Sequence, residues 1–178
     1  SSASGAANGL HSYLVRENEI KRFLYMLPRQ EKAATALQFI ATQAGIGTSS
    51  ITREFAVVSG GDMGIPTLLL SLDEATVTTD DYLAHKYYPS PSLLAPLTQP
   101  LPVPDWIRVR TVRNSSLTIA IPMTGHQKHP TDWAALLQTW RPYFELILVD
   151  APPLRKSYLG VALSSHMDAS IIIVGAEE

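Results

Sequence analysis

Four short apolar runs, each about as long as one β-strand, constrain this chain more than any other feature. They read LQFIAT at 37–42, TLLLSLD at 67–73, ELILVDA at 145–151 and SIIIV at 170–174. Near-continuous apolar strands are typical of parallel sheets that are buried on both faces. Segments of helical character separate the runs, at residues 51–59, 130–140 and 157–166. This alternation predicts a doubly wound, mainly parallel α/β sheet flanked by helices.

The other predicted elements complete one domain, which is what 178 residues suit. Residues 11–27 have helical spacing of apolar side chains, and Pro28 ends that helix. Two strands, 106–112 and 117–122, are joined by a turn, and 74–105 reads as an irregular excursion with a short helix near 80–86. We therefore divide the chain into a flexible tail or tag remnant at 1–10 and a domain at 11–178.

Composition excludes several classes of function. The formal net charge is −2 and no cysteine is present, so the sequence predicts no nucleic-acid binding, no disulfide framework and no thiolate metal site. No apolar run approaches the ~20 residues that a membrane-spanning helix needs. A cytosolic location is consistent with these features.

A glycine-rich turn between a predicted strand and a predicted helix has the context of a phosphate-binding loop. It reads QAGIGTSS at 43–50, and its candidate phosphate ligands are Gly45, Gly47, Thr48, Ser49 and Ser50. Position 48, where such loops carry lysine, is a neutral threonine. Losing a charged hydrogen bond of ~1.5–3 kcal/mol weakens nucleotide binding by roughly one to two powers of ten. An ordinary strand-to-helix turn without a ligand remains the alternative.

A second candidate is Asp150, the acid at the end of the run 145–151. Ligands of open α/β sheets bind at the carboxyl ends of the strands. Asp150 is therefore placed to hold Mg²⁺ through water, together with the hydroxyl of Ser49. An aspartate at a strand end that only caps the next turn is the alternative.

The string FELILVDAPP at 144–153 resembles the acidic strand of the bacterial tyrosine kinases of capsule and exopolysaccharide systems, which are relatives of the partitioning ATPases. Further segments fall in the family's order between about residues 17 and 175. The resemblance implies a P-loop-type fold with ATP or ADP and Mg²⁺ as cofactors. It also implies cytoplasmic location at the inner membrane, through a membrane-embedded polysaccharide co-polymerase as partner, and homo-oligomers.

Departures from the family pattern concern charged residues. The family's second strand ends in Asp-x-Asp, where this chain has Ser71 and retains only Asp73. The family's helix for ring assembly carries Glu-x-x-Arg-x-x-Arg, which Glu19 and Arg22 match and Tyr25 breaks. If the protein is active, the resemblance implies Asp73 and Asp150 as catalytic residues. Glu19 and Arg22 are the implied oligomer or partner contacts.

Three functions follow from this comparison. The first is a pseudo-kinase of polysaccharide biosynthesis or export with little or no turnover, because phosphoryl transfer depends on the charges that are missing. The second is an active ATP-dependent tyrosine kinase or ATPase that uses an unusual phosphate loop, with its lysine supplied from elsewhere. The third is a partitioning-type ATPase that uses nucleotide to dimerise.

Two residue pairs outside the phosphate loop invite a functional interpretation. His126 and His129 have no nearby carboxylate except Asp132, so we interpret them as solvated loop residues and not as metal ligands. Trp133 and Trp140 lie seven residues apart on the predicted helix, which is the spacing of core packing and not of a base-stacking platform.

Arg108, Arg110 and Arg113 follow one predicted strand. Their spacing is typical of a solvated face, and an acidic partner surface is the alternative. Tyr87 and Tyr88 pack under the excursion in our interpretation, with phosphorylation by a partner kinase as the alternative.

Overall fold

The structure, a computed structural model, describes residues 16–28, 33–46, 48–72, 94–123 and 128–175, with residue 49 described for its backbone alone. Seven strands form one sheet in the order β3-β4-β5-β2-β6-β1-β7. Their bounds are β1 Thr35–Ala41, β2 Thr67–Ser71, β3 Leu94–Pro96, β4 Ile107–Val112, β5 Leu117–Pro122, β6 Leu146–Asp150 and β7 Ala169–Ile173. The strands β5, β2, β6, β1 and β7 are parallel, and β3 and β4 extend the sheet antiparallel. The predicted fold class is confirmed.

Four helices flank the sheet in the described part of the chain. They are α1 at residues 16–26, α2 at Thr48–Ala56, α3 at Pro130–Trp140 and α4 at Leu159–Leu163. The helix α2 continues as a π-helical segment, Val57–Asp62. Helices α1 and α2 cover one apolar face of the sheet, and α3 and α4 cover the other. No helix of the described residues is both long and apolar enough to cross a bilayer.

The two tryptophans of α3 confirm the interpretation from their spacing. Trp133 and Trp140 are both buried in the core between α3 and the sheet. The indole N–H of Trp140 donates to the carbonyl of Pro102 at 2.7 Å. This bond satisfies the polar atom of the largest fully buried side chain, so the whole ring can be removed from water.

Several predictions about single elements need correction. The run 170–174 was expected in the core, but β7 is an edge strand and Ile172 is 50% exposed. The expected irregular excursion contains a strand, β3, because Leu94 is buried against β4. The helix predicted at 51–59 begins three residues earlier, at Thr48.

The N-cap of α3 is His129, and Asp132 is the third residue of the helix. The carboxylate of Asp132 accepts from the His129 backbone N–H at 3.1 Å, so Asp132 caps the start of the helix. The turn between β4 and β5 is as predicted, with Asn114 at a φ of 59°. The predictions for residues 1–10, the helix near 80–86, Tyr87, Tyr88 and His126 lie outside the described residues.

Candidate functional site

Three neighbouring parallel strands, β2, β6 and β1, end at one edge of the sheet and define the candidate site. Asp150 ends β6, in register between Phe39 of β1 and Ser71 of β2. Asp150 is 1% exposed and Ser71 is 2% exposed. Both polar side chains therefore belong to the floor of the crevice where ligands of such sheets bind.

The loop from β1 to α2 lies at the same edge. Gly45 has a φ of +82°, and a Cβ at this position would meet nothing within 4 Å. Thr48 is the first residue of α2, and its carbonyl accepts from the Thr52 hydroxyl at 2.7 Å. Ser50 is exposed on the first turn. Gly47 and the Ser49 side chain lie outside the described residues. The described part of the loop has a neutral residue at 48.

The loop that follows Asp150 crosses the end of β1. The Ala151 N–H donates to the Phe39 carbonyl at 3.0 Å, and the Leu154 N–H donates to the Ala41 carbonyl at 2.9 Å. The next residues, Arg155 and Lys156, are exposed. The sequence analysis did not identify this basic pair as part of the site. Its position directly after Pro-Pro-Leu, close behind Asp150 in the chain, could have indicated that it lies near the site.

The described residues bring together only part of the expected site. Asp150, Gly45 and Thr48 share one edge, while Asp73 lies outside the described residues. No group of three His, Asp or Glu side chains within the described ranges is arranged to hold a metal ion. At the ends of β6 and β2, the oxygen donors are one carboxylate and one hydroxyl.

Glu19 and Arg22 form a separate surface on α1, and both are exposed. Tyr25 is 73% exposed and Met26 78%, so apolar surface adjoins the two charged residues. The helix itself is held on α2, where the Phe23 and Phe55 rings pack edge to face at 5.6 Å. This surface is thus accessible to another molecule while its helix stays anchored.

An acidic pair joins α1 to the end of the π-helical segment. Burial, and then the hydrogen bond with Glu17, raise the pKa of Asp62. Hydrogen bonds from Lys21, and then with Asp62, lower the pKa of Glu17. The Lys21 ammonium lies 2.9 Å from the Glu17 carboxylate. Two carboxyl groups hydrogen-bond only when they share a proton, so this contact depends on pH.

No protein-family model matches the sequence, and no curated protein matches it. Among solved structures, the chain is similar to the chimerical protein CapA2B2, with a TM-score of 0.52 and 14% sequence identity. The match covers 83% of this chain and 66% of that chain. At this identity the likeness shows the fold alone. The chain therefore has a P-loop-type α/β fold, and it spans about 66% of the length of that structural neighbour.

Proposed function

We propose that this chain is a kinase-like component of bacterial polysaccharide biosynthesis or export that acts by binding a membrane partner, with little or no phosphoryl transfer. The observation that carries the proposal is the Asp-Ala-Pro-Pro strand beside a glycine loop that lacks its lysine. Asp150 is buried next to β1 in a P-loop-type sheet, as the resemblance to the polysaccharide kinases implies. Thr48 and Ser71 stand where those kinases carry charge.

The described residues supply only part of what Mg²⁺ and a nucleotide need as catalytic cofactors. Magnesium prefers carboxylate and phosphate oxygens in near-octahedral geometry, and Asp150 supplies the one carboxylate among the described strand ends. Thr48 offers no charge to a polyphosphate. Catalysis of phosphoryl transfer is mostly positioning and charge stabilisation, so these losses act on the rate more than on the fold.

Partner binding is supported by the exposed surface of α1. Glu19 and Arg22 retain part of the family's assembly motif, and Tyr25 and Met26 add apolar area. Charged residues rimming an apolar patch are typical of protein interaction sites. A polysaccharide co-polymerase of the inner membrane is the partner that the resemblance suggests, and the chain would act at the cytoplasmic side of that membrane. A homo-oligomer is the other assembly for this surface.

Turnover and nucleotide binding test the catalytic half of the proposal. We expect wild-type protein to hydrolyse ATP no faster than Asp150→Asn, which keeps the shape of the buried side chain. In calorimetry with ADP and Mg²⁺, Thr48→Lys should bind at least about tenfold more tightly than wild type, because a charge-assisted hydrogen bond is restored. Wild-type turnover at a kinase-like rate that Asp150→Asn abolishes would reject the proposal.

Binding to the purified co-polymerase in detergent tests the partner half. Arg22→Glu reverses a charge on the α1 surface, and Lys156→Glu makes the same kind of change in the exposed loop after Asp150. We expect the first variant to weaken binding and the second to leave it unchanged. Equal binding by both variants would exclude the α1 surface as the contact.

An active ATP-dependent tyrosine kinase or ATPase is the second candidate, and the position of Arg155 favours it. This exposed cation follows Leu154, whose N–H donates to the Ala41 carbonyl at the end of β1, and β1 is the strand that leads into the glycine loop. If Arg155 replaces the missing lysine, wild-type protein binds ADP and Arg155→Gln loses about tenfold in affinity. Arg113→Gln is the control of equal charge change. Absence of ADP binding by wild type would remove this candidate.

Dimerisation on ADP addition would favour a partitioning-type ATPase instead.

A further inference from the structure

Gln38 is a polar residue in the middle of β1, between two apolar neighbours. It is fully buried, with 0% exposure, and its backbone lies in register between Val149 of β6 and Ser170 of β7. Amide side chains are seldom buried in the centre of a parallel sheet unless they make specific hydrogen bonds. The burial of the Gln38 amide therefore has to be explained by the hydrogen bonds that it makes.

The Gln38 amide reaches from the sheet to the first turn of α4. Its Nε2 donates to the Gly160 carbonyl at 2.7 Å and to the Ser170 hydroxyl oxygen at 2.9 Å. Its Oε1 is the one buried side-chain nitrogen or oxygen, among the described residues, that has no hydrogen-bond partner. Turning the amide over would set Oε1 against the Gly160 carbonyl, so the donor orientation is fixed. An unsatisfied buried acceptor is unfavourable, and the chain tolerates it to keep the bond to Gly160.

The Gly160 carbonyl needs this donor because α4 ends after one turn. In a regular α-helix the Ser164 N–H would close on Gly160, but here it donates to the Val161 carbonyl. Gly160 is also pressed onto the sheet, since a Cβ there would lie 3.0 Å from Ile40 Cδ1 and 3.2 Å from Ala151 Cβ. A side chain at position 160 would require Ile40 or Ala151 to shift, and the buried carbonyl is satisfied by Gln38.

The loop between Asp150 and α4 is consequently bonded to β1 near both of its ends. Ala151 and Leu154 donate backbone hydrogen bonds to β1 at its near end, and Gly160 accepts from Gln38 at its far end. The prolines at 152 and 153 restrict the backbone between these bonds. Loops that change conformation when a ligand binds belong to the least stable parts of a protein. This loop differs from them because hydrogen bonds join both of its ends to a central strand.

We propose that Gln38 is a positioning residue that locks the loop after Asp150 in a single conformation, independent of any ligand at the carboxyl edge. Through the Gly160 carbonyl, it fixes the start of α4 and hence the far end of residues 151–158. Through the Ser170 hydroxyl, it joins the edge strand β7 to the same point. The inference concerns the motion of the loop and goes beyond the proposed function, because it holds whichever partner or ligand the protein binds.

Amide hydrogen exchange on the full chain tests the lock. Gln38→Met keeps the unbranched shape and removes both the donor and the unpartnered acceptor. We expect the Leu154 and Ala162 amides to exchange at least about tenfold faster in this variant, while the amides of β2 and β5 keep their protection. Thr35→Val is the matched control, since it removes a buried hydroxyl whose bond goes to the Pro28 carbonyl, at the other end of β1. It should leave Leu154 and Ala162 unchanged.

Two results would overturn the inference. One is wild-type protection of Leu154 and Ala162 in a folded Gln38→Met protein. The other is an equal loss of protection throughout the molecule, which would make Gln38 a general stabilising residue. If Gln38→Met does not fold, the wild-type protein still decides the matter. If the loop is held in one conformation, the Leu154 and Ala162 amides of the wild-type protein exchange as slowly as those of β1, with and without 1 mM Mg-ADP. Exchange of these two amides at the rate of an open loop would reject the inference.

Discussion

The two ends of α2 use glycine for opposite reasons. At its start, Gly45 has a left-handed backbone with open space around it; at its end, Gly60 lies so near β5 that a Cβ would be 2.8 Å from Leu117 Cβ. The first glycine is required by the direction of the chain and the second by close packing. The difference shows that the start of α2 tolerates substitutions that preserve the left-handed backbone of the turn. The far end of the helix is part of the core and does not tolerate added side-chain atoms.

The largest expected effect comes from Gly60→Ala. The added methyl meets backbone and Cβ atoms of Leu117, at 2.8–3.2 Å, which cannot rotate away. Overpacking of this kind costs typically 1–3 kcal/mol, and we expect a loss near the upper end, about 3 kcal/mol, in urea unfolding.

Gly61→Ala is the matched control for that variant. Its Cβ would be 3.9 Å from Val57 Cγ1, an ordinary contact, on the same helical segment. Alanine in a helix is favoured over glycine by about 0.5–1 kcal/mol, so this variant should be as stable as wild type or more stable. Equal destabilisation by both variants would show that helix geometry, and not contact with β5, fixes Gly60.

Patterns of single strands and helices were predictable because local sequence determines them. The run 145–151 gave both β6 and the location of Asp150, since a strand end in a parallel sheet lies at the ligand edge. The bounds of α3, Pro130–Trp140, follow from its proline start and its apolar spacing. The turn at Asn114 follows from its preference for a left-handed backbone.

Features that depend on which strands become neighbours were not predictable. An apolar run such as SIIIV looks the same in the centre of a sheet and at its edge, and β7 is at the edge. Gln38 was read as one residue of an apolar strand, because its partners Gly160 and Ser170 are more than a hundred residues away in the chain. The close approach of Gly60 to Leu117 of β5 is likewise a contact between distant parts of the chain, which spacing within one helix does not encode.

Gly45→Ala should have an intermediate effect at the open end of α2. The left-handed conformation costs an L-residue roughly 1–2 kcal/mol, and exposure of the loop lets it relax, so we expect a loss of about 1 kcal/mol in urea unfolding. Gly45→Asn is the control, because asparagine tolerates this conformation better, and it should lose less. A larger loss for Gly45→Asn than for Gly45→Ala would indicate that side-chain space, and not backbone conformation, limits this position.

Asp62→Asn should have the smallest effect, at the packed end of α2. Burial and the nearby Glu17 carboxylate raise the pKa of Asp62. The ionised form of Asp62 therefore destabilises the folded state. This loss of stability develops as the pH rises from the ordinary pKa of 3.8 through the raised pKa of the folded state. The amide group of an asparagine can donate a hydrogen bond to Glu17 at any pH, whereas the aspartate must first be protonated. Because the site is largely exposed, we expect only a few tenths of a kcal/mol of added stability at pH 7.

The pH dependence separates this explanation from a general effect of removing charge. At pH values well below 3.8, where Asp62 is protonated in both the folded and the unfolded chain, the difference between Asp62→Asn and wild type in urea unfolding should vanish. Glu19→Gln removes a carboxylate from the exposed face of α1 and should show no such difference at either pH. Lower stability of Asp62→Asn at pH 7 would mean that attraction between Asp62 and Lys21 outweighs burial and Glu17, and that the packed end of α2 gains from the charge.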